Sequence, residues 1–222
     1  MGSYGSLLTS SVLKQSEVIM NTHANISEKL QTGTDLNASA FARATSLRRD
    51  AVVAMVRLGM LPDLSMGTAH AIAGTSLAYR IVDTEHPIAV VRLGERDEDG
   101  DRFTGWCDGL TREEVEDVAL RWWSRVPEAA VQASVLHVTF KGIVVAVLRL
   151  RGIAETNVHG RIAFDGEVIS WLVDTVSGRI EGPEDRDELT DLEFAAESRV
   201  CQQMTTSGGG PIVVEHPKAP TA

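Results

Sequence analysis

The hydrophobic period changes once along this chain, near Thr75, and that change limits the fold more than any other feature. Over residues 38–62 the apolar residues recur at helical spacing. Beyond Thr75 they fall into short β-rich runs separated by turn chemistry. A helical block followed by strands points to the α+β class. The expected architecture is a small N-terminal helix–turn–helix unit followed by a mixed β-sheet or barrel-like domain with one main helix.

The boundaries follow from local signals. Residues 1–35 read as a weakly structured lead-in, in which Ser16 to Leu30 is a helix without a strong apolar stripe. Residues 36–66 hold the helical unit, with Asn37 or Ser39 as N-cap, Gly59 as a stop and Pro62 beyond it. Residues 75–177 are the α+β domain. Its predicted strands are Leu77–Val82 and Ile88–Leu93 about a His86-Pro87 turn, Ala133–Phe140 and Ile143–Leu150 joined at Lys141-Gly142, and Arg161–Phe164 and Glu167–Asp174 about Asp165-Gly166. Its helix opens with a capping box, Thr111 with Glu114, continues through Val115, Val118, Ala119 and Trp122, and ends before Pro127. Residues 178–222 form an acidic tail, since Arg179 onward carries nine acidic and four basic residues. A terminal helix over Leu189–Met204, a linker at Ser207–Pro211 and a disordered end are expected there.

Composition removes several classes of function. A formal net charge of -10 keeps the overall field from attracting nucleic acid, so any such binding needs a local basic patch. The two cysteines, Cys107 and Cys201, form neither a disulfide framework nor a zinc set and read as reduced thiols. No run approaches the roughly 18 apolar residues of a membrane helix. The first nineteen residues lack the charged start and apolar block of a signal peptide, and Met20 is a second candidate start. A cytoplasmic location without membrane attachment is therefore expected.

The local basic patch exists. Residues 40–62 carry four arginines, Arg43, Arg48, Arg49 and Arg57, against the single acid Asp50. Ala42 is the small residue that lets a second helix cross the first. Ser46 takes the turn, Leu47 is the apolar residue after it, and Val52, Met55 and Val56 supply a stripe for burial. This segment resembles the helix–turn–helix of excisionase-like and MerR-like DNA-binding proteins, including its close at Gly59-Met60-Leu61-Pro62. It departs from them at Ser46, where glycine is preferred for positive φ. The resemblance implies that Arg48, Arg49 and Ala51 open the recognition helix in the major groove of double-stranded DNA. Arg48 or Arg49 would address a guanine edge, while Arg43 and Arg57 would face phosphates.

The stretch Trp122 to Glu167, with Trp122-Trp123, Gly142–Val147 and Gly160–Glu167, is similar to PUA-like, EVE-type barrels. That likeness implies base or ligand stacking on Trp106, Trp123 and Phe164, with Trp122 assigned to the core by its place on the apolar stripe. The acidic loop Asp97, Glu98, Asp99 and Asp101 has the wrong register for calcium, and His137 and His159 have no second ligand at metal spacing. No phosphate loop, nucleophile elbow or zinc-protease motif is present, so no catalytic residue, metal or cofactor is assigned. The expected function is a sequence-specific DNA-binding regulator of the phage or plasmid repressor kind, acting as a homodimer. The alternatives are a PUA-like sensor of a modified base, nucleic acid or small ligand, and a defence-related enzyme.

Overall fold

The computed structural model describes residues 36–81, 87–99, 102–183, 186–206 and 210–215. The expected helix at 16–30 and the acidic residue Asp101 lie outside them. Three helices come first: α1 (Ala38–Thr45), α2 (Arg49–Arg57) and α3 (Met66–Ala73). Asn37 caps α1, its side chain accepting from the amides of Ser39 and Ala40 at 3.1 and 2.9 Å. Ser65 caps α3 by accepting from the Thr68 amide. Between α2 and α3 the chain turns at Gly59, whose φ of 71 is the left-handed geometry that glycine adopts without cost. The Leu36 amide then closes on the Leu64 carbonyl at 2.9 Å and ties the two ends of the unit together.

The remaining elements build one mixed sheet on two long strands. β5 (Val135–Phe140) and β6 (Ile143–Thr156) are an antiparallel pair. Their turn is the expected Lys141-Gly142, with both residues at positive φ, 50 and 86, as a two-residue hairpin of matching twist requires. β2 (Ile88–Leu93) lies parallel to β5 on one side, and β10 (Ile212–Glu215) lies antiparallel to β2 beyond it. On the other side of β6 run β7 (Ile162–Asp174) and then β8 (Arg179–Glu181). The start of β6 also pairs with β9 (Gln203–Met204), which carries β1 (Arg80–Ile81) in parallel. A separate hairpin, β3 (Asp97–Asp99) with β4 (Arg102–Thr104), stands outside this sheet. The class is α+β as expected, with helices at 38–73 ahead of a mixed sheet.

Several expected elements move. Leu77–Val82 is not one strand. Ser76–Ala78 is a short 3-10 turn with Leu77 fully buried, and only β1 remains, paired with β9 and not with β2. Asp165-Gly166 is not a hairpin turn, because β7 runs straight through it. The reversal is at residues 157–160, where Asn157 accepts from the His159 and Arg161 amides. Gly166 serves close approach instead, since a Cβ there would sit 2.4 Å from the Arg149 carbonyl oxygen. The main helix, α4 (Arg112–Leu120), keeps its Thr111–Glu114 capping box but stops two residues before Trp122. The short helix α5 (Glu128–Val131) follows it.

The acidic stretch is not a loose tail. It contributes β8, the helix α6 (Asp191–Glu197), β9 and β10 to the body of the molecule. α6 is much shorter than the expected Leu189–Met204, because Cys201 takes a φ of 66 and turns the chain into β9. Two acids of α6 point inward. Glu193 and Glu197 are 4% and 6% exposed and reach Arg149 and Arg186, with Arg186 Nη2 donating to Glu197 at 2.6 Å. A continuous cluster of buried apolar residues, from Phe41 through the sheet to Val213, underlies helices and strands alike.

Candidate nucleic-acid interface

The α1–turn–α2 segment is built as its residue types dictate. Phe41 and Ala42 are buried on α1, and Thr45 Oγ1 donates back to the Phe41 carbonyl at 2.9 Å. Ser46 then adopts φ 58, ψ 13, the left-handed turn that the sequence places there. That geometry costs a non-glycine residue roughly 1 kcal/mol, which burial of Leu47 at 6% exposure helps to offset. α2 crosses α1 over the small Ala42 and buries Ala51, Val52, Ala54 and Met55.

What α2 leaves in solvent is Arg49, Asp50, Val53, Val56 and Arg57, while α1 leaves Ser39, Arg43 and Ala44. Val53 and Val56 are each 43% exposed, unusual for β-branched apolar residues on a short helix. Arg48, the N-cap of α2, folds back on Asp50 in a two-pronged ion pair at 3.0 and 2.9 Å. Arg57 is bound to Glu95, which Lys141 also reaches at 3.3 Å. The expected set of contact residues therefore divides. Arg43, Arg48 and Arg49 are exposed, Arg57 is tied to the sheet domain, and Ala51 is 1% exposed. Ala51 packs beneath α2 and cannot meet a base edge, which removes it from the candidate set.

The expected stacking residues divide as well. Trp106 is fully buried and Phe164 is 2% exposed, so neither offers a ring face to a ligand. Both were chosen for being aromatic, and aromatic residues serve burial first. Trp123 is half-buried. Its Nε1 donates to the Ala119 carbonyl at 2.8 Å, and its backbone exchanges two hydrogen bonds with Ile162. Trp122 is also half-buried and sits in neither the helix nor its stripe, because α4 has already ended.

These two tryptophans line a cleft of about 280 Å³ that sequence reasoning did not find. Arg92, Arg121 and Arg161 share its walls, with Glu95 as the acid. Its floor is a close backbone crossing at Gly105, whose φ is 76 and where a Cβ would lie 2.1 Å from the Glu95 carbonyl oxygen. The residues come from the end of β2, the approach to Trp106, the exit of α4 and the start of β7. No spacing in the chain announces that gathering; the Trp122-Trp123 pair was its one visible trace. Glu95 belongs to both regions, lining the cleft and binding Arg57 of α2.

Among the described residues no helix is long and apolar enough to cross a membrane. Comparison with protein-family models, with curated proteins and with solved structures finds no match for this chain.

Proposed function

We propose that this chain is a DNA-binding protein that reads a duplex through α2. The observation that carries the reading is the left-handed Ser46 turn. It sets α2 across α1, with the apolar stripe inward and Arg49, Val53 and Val56 outward. An α-helix presented this way fits the major groove. In this reading Arg48 and Arg49 donate to base edges, Arg48 exchanging Asp50 for a guanine. Val53 packs on a thymine methyl group, and Arg43 holds a phosphate. Arg57 adds less, because it must first leave Glu95. The molecule's net acidity then favours selectivity over indiscriminate affinity, since the nonspecific electrostatic term is weak.

The test is retention of genomic DNA fragments by the purified protein at low and at physiological salt. Selective retention of a few fragments at physiological salt is expected. Replacing Arg48 and Arg49 together by Ala should weaken specific binding by roughly 1–3 kcal/mol per base contact. Unchanged binding by that double variant would refute the assignment.

The Trp122–Trp123 cleft favours a second reading, a sensor that stacks a base or nucleotide on indole and neutralises its phosphate with arginine. Quenching of tryptophan fluorescence by a nucleoside monophosphate, lost in Trp122→Ala, is the expected signature of that activity.

A further inference from the structure

A second cavity, of about 440 Å³, opens at the far end of β2 and β5, between α5 and α6. Ile88 and Leu192 give it apolar walls, while Ser134, His137, Asp191 and Arg199 bring polar atoms to it. That size falls within the range of small-molecule sites, which are mostly apolar with a few placed polar groups. His137 is the unusual member. It is 2% exposed on β5, and neither Nδ1 nor Nε2 has a hydrogen-bond partner. Burial and the charge of Arg199 both disfavour the imidazolium, and the backbone at Ala89 opposes them only in part. The ring is therefore neutral, with one N–H and one lone pair unused.

An unpartnered polar group in a core is costly, and native structures hold few of them. A leucine at 137 would fill the same place in the sheet without that cost. The polar ring has a use if the cavity has an occupant. The walls define its chemistry. An apolar body fits against Ile88 and Leu192, and an acceptor is needed for the imidazole N–H. The field of Arg199 favours a negative charge at that acceptor, and Asp191 on α6 limits it to one.

We propose that this cavity is a binding site for a small monocarboxylate with a compact apolar or aromatic body. The carboxylate accepts from the His137 imidazole N–H on the Arg199 side. No duplex DNA is involved, so the site stands apart from the α2 reading.

The experiment titrates the whole protein, labelled with ¹⁵N in histidine, with 2-naphthoate and with its uncharged counterpart 2-naphthamide. Saturable shifts of the His137 ring are expected, with the carboxylate bound about tenfold more tightly than the amide. Arg199→Gln should erase that preference. His137→Leu should weaken 2-naphthoate by about tenfold or more while melting no lower than the parent. The proposal is overturned if neither probe shifts His137 up to about 5 mM. It is equally overturned if the parent shows no preference for the carboxylate, or if His137→Leu binds as the parent does. A lower melting temperature for His137→Leu together with unchanged affinity would make the imidazole a packing residue only.

Discussion

His137 ties the stability of this fold to pH, and the size of the effect can be worked from its surroundings. Burial first, and the Arg199 charge second, push the imidazole from its ordinary 6.5 down to about 3. The folded state therefore refuses a proton that the unfolded chain accepts below about pH 6.5. Wherever the unfolded state binds more protons, stability falls as pH falls, by about 1.4 kcal/mol per pH unit within the window. From about pH 7 to about pH 5, His137 alone should cost about 2 kcal/mol. Asp108 acts in the opposite direction. Burial raises its carboxyl to about 6 despite hydrogen bonds from the Thr175 amide and hydroxyl, so stability falls as pH rises toward that value. The two overlap, and the pH profile of the parent protein alone cannot separate them. Subtraction can. Urea unfolding of the parent and of His137→Leu at a series of pH values cancels Asp108 and every other shared group. The difference should be flat above about pH 7 and then move in favour of the variant by about 2 kcal/mol by about pH 5. A difference that does not change with pH over that interval would refute the assignment of a neutral, unpartnered imidazole.

Further tests address other elements. Ser46→Gly should stabilise the protein by about 0.5–1 kcal/mol in chemical denaturation, since glycine takes the left-handed turn without the Cβ penalty, whereas a β-branched residue there should destabilise it. Gly105→Ala should lower soluble yield and melting temperature severely, because its Cβ would overlap the Glu95 carbonyl and nothing flexible can yield. Glu193 is held at about 2, chiefly by its hydrogen bond with Arg149 and against the pull of burial, so its contribution is present above its ordinary 4.5 and is lost as pH falls toward 2. Glu193→Gln should therefore cost about 2–3 kcal/mol near neutral pH and progressively less on acidification, as read by urea unfolding at two pH values.

Local chemistry was legible wherever a few consecutive residues decide the outcome. Asn37, the Thr111–Glu114 box and Lys141-Gly142 each act within three or four residues, and each does in the structure what its type predicts. Ser46 belongs with them. Its turn is set by the apolar residues on either side, which both need burial, and the backbone takes the left-handed geometry although the residue is not glycine. Asp165-Gly166 looks the same in sequence and behaves differently. The neighbouring strand brings the Arg149 carbonyl so close that only glycine fits, and the pressure on that position comes from across the sheet. Ile212–Val214 likewise reads as the end of a tail, and becomes a strand because β2 offers an unpaired edge.

The same distinction separates what could and could not be read of the functional residues. A side chain's availability depends on partners distant in sequence. Arg57 looks like the other arginines of its segment until Glu95, thirty-eight residues on, occupies it. Ala51, Trp106 and Phe164 were chosen by residue type and are buried by neighbours that no spacing reveals. His137 shows the converse. In sequence it is a single histidine in a strand with no second metal ligand near it, which argues for a plain structural role. Its interest arises only when α6, more than fifty residues later, closes over β5 and shuts out water without supplying a hydrogen bond. An unsatisfied buried group is a property of packing, and it directs attention to a cavity that neither composition nor motif could have shown.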